Sequence, residues 1–370
     1  MKAVAIFPQS RETRLIEQAE PQTVLPHQAR VKILEVGICG TDRHICSFQF
    51  GAPPSNAEHL ILGHEALGQV LEVGSAVEHL KPGDLVVPEV RRRCTDELCL
   101  ACQHHHQDFC MTGHYTERGI VGLHGYMTEQ VIDDADYLHP VPPVLRSVAI
   151  LTEPLTIAEK AYEQVLQIQQ RLPWLASSLQ SAEPGRGQTA VVLGAGPIGL
   201  LGAMLLLQAG YTTYVYSRSP QPNEKAKIVE EIGAHYVSSE TTPIHTFVEQ
   251  TGPIDLVYEA ADAAPFTSEI IPALGRNSIV VFTSSTNSTH PQGVDVATAF
   301  RSLSGRNQVI VGTVNAGPAM FTAAIQHLEQ FQQRWPHALS AIITQRHPIE
   351  HYQKLLTGRP AGIKHVITLV

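Results

Sequence analysis

Cysteine is scarce: six in 370 residues are too few for a disulfide scaffold. Charge is thin as well, at 16% of residues, and 26 basic side chains face 35 acidic ones for a formal net charge of −9. A broad nucleic-acid footprint needs a basic surface, so that class is excluded. The one dense basic run, Arg91-Arg92-Arg93, is very short. Glycine (27) and proline (25) stand near average, which excludes collagenous and low-complexity chains. Long apolar runs are missing but for one. Ala190–Leu207 carries no charge and reaches the lower edge of membrane-spanning length. Gly194-Ala195-Gly196-Pro197 breaks it into a strand and a helix, so no membrane span is expected. The opening run Met1–Phe7 is short and ends at Pro8, so no secretory signal is expected.

What is present is apolar enough, at 43%, for sizeable cores, and the length suggests two or three domains of about 100–200 residues. The first 150 residues read as mostly β. Ala29–Val36 alternates polar and apolar, Gly68–Gly74 and Asp84–Pro88 are further short strands, and turns such as Lys81-Pro82-Gly83-Asp84 are frequent. That pattern predicts a barrel-like domain. After about residue 155 the character changes. Ile157–Arg171 has helical apolar spacing, and a polar stretch, Ser177–Gln188, follows. Strands at Thr189–Leu193, Thr213–Tyr216, Asp255–Tyr258, Ser278–Thr283 and Gln308–Val314 then alternate with helices such as Ile198–Ala209 and Glu224–Ile232. Such alternation means βαβ units on a parallel sheet. Val366–Val370 is placed to return to the first domain.

Three constellations carry chemistry. Gly194, Ala195, Gly196, Pro197, Ile198 and Gly199 follow an apolar strand and open an apolar helix. There the glycines give a tight turn, close approach of a pyrophosphate and close helix–strand packing, with the helix N-terminus receiving the negative charge. The plain alternative is an ordinary glycine-rich turn. A site preferring NAD places an acid roughly 20 residues after the first glycine. Here none occurs between Gly194 and Glu224, and the second strand ends at Ser217, Arg218 and Ser219. A hydroxyl and a guanidinium fit a 2′-phosphate, which predicts NADP; otherwise Arg218 is a solvated loop residue.

Cys94, Cys99, Cys102 and Cys110 crowd into one loop. Four thiolates at such spacing close a tetrahedral zinc sphere, which makes a structural site; the alternative is free or disulfide-forming thiols. His104, His105 and His106 lie in the same loop and are read as solvated. Third come Gly37-Ile38-Cys39-Gly40-Thr41-Asp42-Arg43-His44 and Gly63-His64-Glu65. Cys39 and His64 are good zinc ligands, with Glu153 in Leu151-Thr152-Glu153-Pro154 as a third candidate; a catalytic zinc needs three protein ligands and an open position. Taken singly they are also a buried cysteine, a core histidine and a helix-cap glutamate.

Together these residues resemble the zinc-dependent medium-chain alcohol dehydrogenase superfamily, in the expected order over nearly the whole chain. Gly37–His44 looks like its GxCGTDxH motif, Gly63-His64-Glu65 like its GHE motif, and the cysteine loop like its structural-zinc lobe. Val87–Arg92, Asp108–Met127 and Glu153–Lys160 are similar to the archaeal-type glucose dehydrogenase family within it. The resemblance implies an α/β fold, a GroES-like β-barrel catalytic domain plus a Rossmann doubly wound parallel sheet. Residues 1–158 and 312–370 would form the catalytic domain, with a zinc lobe near 91–113, and residues 159–311 the dinucleotide-binding domain, the active site lying in the cleft. It implies a catalytic zinc on Cys39, His64 and Glu153, with Glu65 binding directly or through water. Thr41 would meet the reacting hydroxyl and His44 pass its proton outward. Glu117 would hold sugar hydroxyls, with Glu153 also on the substrate side. Asn315 would lie where sugar and nicotinamide meet, and Thr283 on the cofactor. The expected reaction passes hydride from C1 of an aldose, foremost glucose, to NADP, with NAD also accepted, in a cytoplasmic homodimer or homotetramer. The runners-up are a polyol or secondary-alcohol dehydrogenase and a non-catalytic NADPH- and zinc-binding protein. Two departures stand out. The usual lobe spacing is C-x2-C-x2-C-x7-C, and here the first gap is x4, so the loop must bulge or release Cys94. Some members have a histidine ten residues before the asparagine, where this chain has Gly305.

Overall fold

The computed structural model describes residues 1–261, 270–284, 296–358 and 360–369. It divides into two compact units, residues 1–156 with 315–370 and residues 157–314.

The first unit is built on the strand Gln28–Gly37. Its buried positions alternate, Ala29, Val31, Ile33, as the pleat requires. Along one edge it pairs antiparallel with Glu65–Val73; along the other, with Gln130–Asp134 and then with Lys364–Thr368. The pairing with Glu65–Val73 shifts register between Ile33 and Glu35. Such a bulge re-aims side chains. Glu35 is accordingly buried, where Arg146 and Arg346 meet its carboxylate at 2.8 and 3.1 Å. Leu85–Pro88, Leu138–Val141 and Ile343–Pro348 complete the seven-stranded sheet. It closes over a core that includes Leu60, Leu62, Val70, Val86 and Met127. The last strand does return to this unit, shifted two residues toward the N-terminus of the expected one; Val370 lies outside the described residues.

The second unit is a six-stranded sheet, parallel throughout. Its order is His235–Ser238, Thr212–Ser217, Thr189–Leu193, Ile254–Glu259, Leu274–Phe282, Val309–Gly312, the doubly wound order 3-2-1-4-5-6. The uncharged run read from the sequence is a strand, a turn and the helix Pro197–Gln208. Eight successive residues of that helix, Gly199 to Leu206, are buried, which is why it is apolar on every face. Among the described residues no helix is long and apolar enough to cross a membrane.

Candidate active site and cofactor site

In the first unit, Cys39 caps the helix Gly40–Cys46 at the end of the strand Gln28–Gly37. The Cys39 amide donates to Asp42 Oδ2 at 2.9 Å, which fixes the turn. His64 and Glu65 arrive at the start of the neighbouring strand, where Glu65 faces Gly37 in register. Ligand atoms of Cys39, His64 and Glu65 all lie within 4.8 Å of one another. A Cβ on Gly37 would sit 2.1 Å from Glu65 Oε2, so only glycine leaves room for that carboxylate.

Two further residues organise this cluster. Fully buried Asp42 faces His64 Nδ1 at 3.3 Å. A carboxylate on one ring nitrogen fixes the orientation of the other. Burial works against charge on His64, but Asp42 and Cys39 outweigh it and hold its pKa well above the ordinary value. Lys364, buried on the returning strand, pairs with Glu65 and donates to the Ile38 carbonyl at 3.2 Å. Glu153 lies in the first turn of the helix Thr152–Gln169, buried and outside the 4.8 Å set. Burial first, then the charge of Glu65, pushes its carboxyl up to about 7. Thr41 and His44 lie on the helix Gly40–Cys46, both half-buried. His44 Nδ1 is 2.7 Å from Gln49 Oε1.

Glu117 sits in the strand Thr116–Arg118 and is buried. Its Oε1 accepts from Asn315 Nδ2 at 2.8 Å and from Arg91 Nε at 3.0 Å. Arg118 next to it turns instead to Asp133, at 3.1 Å. Thus the basic run is mostly interior: Arg92 also reaches Asp133, at 2.7 Å, and Tyr126 OH.

The cysteine loop gathers all four thiols, with ligand atoms within 4.8 Å and no disulfide. The longer first gap is taken up by a turn. Asp96 accepts from the Leu98 amide through Oδ1 at 2.8 Å and from the Cys99 amide through its carbonyl at 3.1 Å. Leu98 is thrown outward, 84% exposed, and Cys94 stays in the cluster. The Met111 amide donates to Cys99 Sγ at 3.4 Å. Burial opposes a Cys110 thiolate, but Thr112 and the amides of Thr112 and Gly113 outweigh it and bring the thiol down to about 6. Burial pushes Cys102 up to about 12. His104, His105 and His106 are exposed.

In the second unit the three glycines do different work. Gly194 has φ +108, a left-handed turn, and a Cβ there would meet Ala261 Cβ at 2.3 Å. A Cβ on Gly199 would lie 2.1 Å from the Gly194 carbonyl, so this glycine lets helix and turn touch. Gly196 caps the helix Pro197–Gln208, and a Cβ there meets nothing within 4 Å. The open space lies at a helix N-terminus, with Ala195, Pro197 and Ile198 in the same turn. Ser217 ends the strand Thr212–Ser217 and Arg218 and Ser219 follow it, their carbonyls held by the Ser239 amide, Ser238 Oγ and Tyr236 OH. Arg218 is exposed. Lys225, in the first turn of the helix Glu224–Glu231, has its ammonium disfavoured by burial and by Arg218. Thr283 follows the strand Leu274–Phe282 and donates to the Glu259 carbonyl at 2.7 Å.

Asp42, Lys364, Arg91 and Lys225 escaped the sequence reading. Asp42 had a signal, an acid three residues after a helix-capping position. Lys364 and Arg91 had none, since strand register alone brings them in.

Residues 146–369 match the family described as Glucose dehydrogenase C-terminus, and residues 25–143 the Alcohol dehydrogenase GroES-like domain. The glucose 1-dehydrogenase of Methanocella arvoryzae is 35% identical over 370 residues, covering 100% of this chain and 99% of that protein. That of Thermoproteus tenax is 36% identical over 371 residues, 99% of each. Among solved structures, Haloferax mediterranei glucose dehydrogenase in complex with NADP, Zn and gluconolactone superposes with a TM-score of 0.85 at 30% identity, covering 100% of this chain and 99% of that one. The chain therefore belongs to the glucose dehydrogenase family of the zinc-dependent medium-chain alcohol dehydrogenases.

Proposed function

We propose that this protein oxidises glucose at C1 with NADP and releases the gluconolactone. The observation that carries the reading is the Glu117–Asn315 pair at 2.8 Å, a polar reader of hydroxyls in the unit that also gathers Cys39, His64 and Glu65. The relatives named glucose 1-dehydrogenase and the Haloferax protein with its lactone support it. The residues fit the metals that family uses. A thiol, an imidazole and a carboxylate within 4.8 Å are a zinc donor set, and buried Glu153, which feels the charges of Glu65 and His64, is a further ligand or a holder of a water. Cys94, Cys99, Cys102 and Cys110 fit a closed structural zinc. Gly194, Gly196 and Gly199 fit a pyrophosphate; Ser217, Arg218, Ser219 and Lys225 fit a 2′-phosphate, and Thr283 lies in the same unit.

Bound zinc supplies a Lewis acid at the reacting hydroxyl and NADP the hydride acceptor. The chain does the rest. Thr41 accepts the C1 hydroxyl proton and hands it to His44, which carries it outward past Gln49. Glu117 and Asn315 hold the ring hydroxyls and so fix the orientation of C1. Asp42 steadies His64, and Lys364 offsets the charge of Glu65. Copies of the chain pair or form tetramers. Val309–Gly312 supports this: it is the last strand of its sheet, and Ile310 is exposed. Six free cysteines support a cytoplasmic setting.

The test is a panel of aldoses, polyols and simple secondary alcohols with NADP⁺ and NAD⁺. Reduced cofactor with glucose, faster with NADP⁺, is expected. Turnover of a secondary alcohol with no aldose oxidised would replace this reading by a general alcohol dehydrogenase.

A further inference from the structure

We infer that Arg91 is the positioning residue for sugar recognition: it captures one oxygen of Glu117 and leaves the other to meet the substrate. The inference rests on the glucose reading and deepens it.

Arg91 opens a run of three arginines that looks like solvated surface, yet Arg91 and Arg92 are only 5% and 8% exposed. The strand Arg91–Arg92 pairs antiparallel with Thr116–Arg118, and Arg91 stands directly opposite Glu117. Alternation along the strand sends the neighbours apart. Arg92 goes to Asp133, in a buried network with Arg118 and Tyr126. Arg91 goes to Glu117. Its Nε and second guanidinium nitrogen reach the same oxygen, Oε1, at 3.0 and 2.9 Å. Asn315 donates to that same oxygen at 2.8 Å. A third Arg91 nitrogen donates to the Asp108 carbonyl at 3.3 Å, and the guanidinium lies 3.7 Å over the Tyr115 ring.

Two hydrogen bonds, from Arg91 Nε and Asn315 Nδ2, use both lone pairs of that oxygen, and the second guanidinium nitrogen adds its charge at 2.9 Å. Oε2 takes no hydrogen bond from the described residues. The carboxylate is therefore clamped in rotation, with one acceptor atom committed and one open. An open, oriented acceptor recognises a hydroxyl in one place; a freely turning carboxylate recognises it in several. Lysine cannot reproduce the clamp, because it offers a point charge instead of a planar fork.

The experiment is a double-mutant cycle on the zinc-loaded protein with Arg91→Met, Glu117→Gln and the pair. Steady-state rates would be taken with glucose and the monodeoxyglucoses, and gluconolactone affinity by calorimetry. Arg91→Met is expected to raise the glucose KM and weaken lactone binding roughly 10- to 100-fold, with a smaller effect on kcat. The monodeoxy sugar that the unmutated protein penalises most should lose that penalty. Adding Arg91→Met to Glu117→Gln should change nothing beyond about twofold, since the clamp has no carboxylate left to hold. Arg91→Lys should fall between parent and Arg91→Met, and it carries the test if Arg91→Met does not fold, as judged by melting temperature and zinc content. Losses that multiply in the double variant, or an unchanged KM in a folded single variant, overturn the inference while leaving glucose oxidation standing. A parent protein that oxidises no aldose overturns both.

Discussion

Asp42→Asn keeps the size of a buried side chain, removes its charge and turns into a donor one of the two oxygens that face His64 at 3.3 Å and the Cys39 amide at 2.9 Å. Partners of this kind typically matter by about 10- to 100-fold in metal affinity or activity. The expected outcome is zinc lost to a chelator at correspondingly lower concentration, with turnover falling in step; zinc retention equal to the parent would mean that Asp42 does not steer His64. At this scale the sequence was most legible where residue type is itself the signal. Cys39 and His64 stood out because a thiol and an imidazole in short motifs are good zinc ligands, Glu65 came only with the family resemblance, and all three meet. Glu153 was legible as a residue but not as a distance, and it lies outside the tight set. Arg91 entered only as part of a short basic run, because a charge gives no sign of its burial. The partner of Glu117 was not legible either, because strand register alone sets it opposite Arg91.

The turn Gly194–Gly199 makes a prediction in which two similar changes act oppositely. Gly199→Ala drives a methyl onto the Gly194 carbonyl at 2.1 Å, and backbone cannot move aside cheaply. It should lower stability by about 1–3 kcal/mol. Gly196→Ala enters open space at an ordinary φ of −83, so stability should hold. That methyl occupies the approach of the pyrophosphate, and NADP affinity should fall at least about tenfold. Melting curves without cofactor and NADP titration separate the two; equal melting temperatures, or unchanged binding in Gly196→Ala, would contradict the assignment. A second element-scale prediction concerns pH. Burial alone would raise the Asp133 carboxyl, but Arg118 and Arg92 outweigh it and hold it below the ordinary value. Its stabilisation is therefore complete above the unfolded-state value, about 4, and is lost as pH falls through the lower folded value. Asp133→Asn should cost about 3–5 kcal/mol in urea unfolding at neutral pH. The gap from the parent should narrow only below about pH 4; a gap independent of pH would refute the ion-pair account. Element identity was legible for Thr189–Leu193 and Pro197–Gln208, whose apolar runs are bounded by glycine and proline. The strand His235–Ser238 was not, because four residues at a sheet edge are too short for a periodic signal.

Two metal sites in one chain should separate stability from chemistry. Cys102→Ser breaks a closed four-thiol site and should chiefly lower the melting temperature, since closed sites contribute folding energy. Cys39→Ser should abolish turnover with modest loss of stability, and metal analysis should fall from about two zincs to one per chain in either variant. A single zinc that survives Cys39→Ser would mean that the cluster of Cys39, His64 and Glu65 is not a metal site. The doubly wound parallel sheet was legible at this scale because strand–helix alternation with a glycine fingerprint admits few topologies. The first unit was harder: its sheet draws strands from both ends of the chain, and only that closure brings Lys364 to Glu65. The most direct test of the whole account follows the hydrogen itself. Glucose deuterated at C1, incubated with NADP⁺ and the protein, should deliver its deuterium to the nicotinamide of NADPH and leave an unlabelled lactone. Deuterium retained in the sugar product, or reduced cofactor carrying no label, would contradict it.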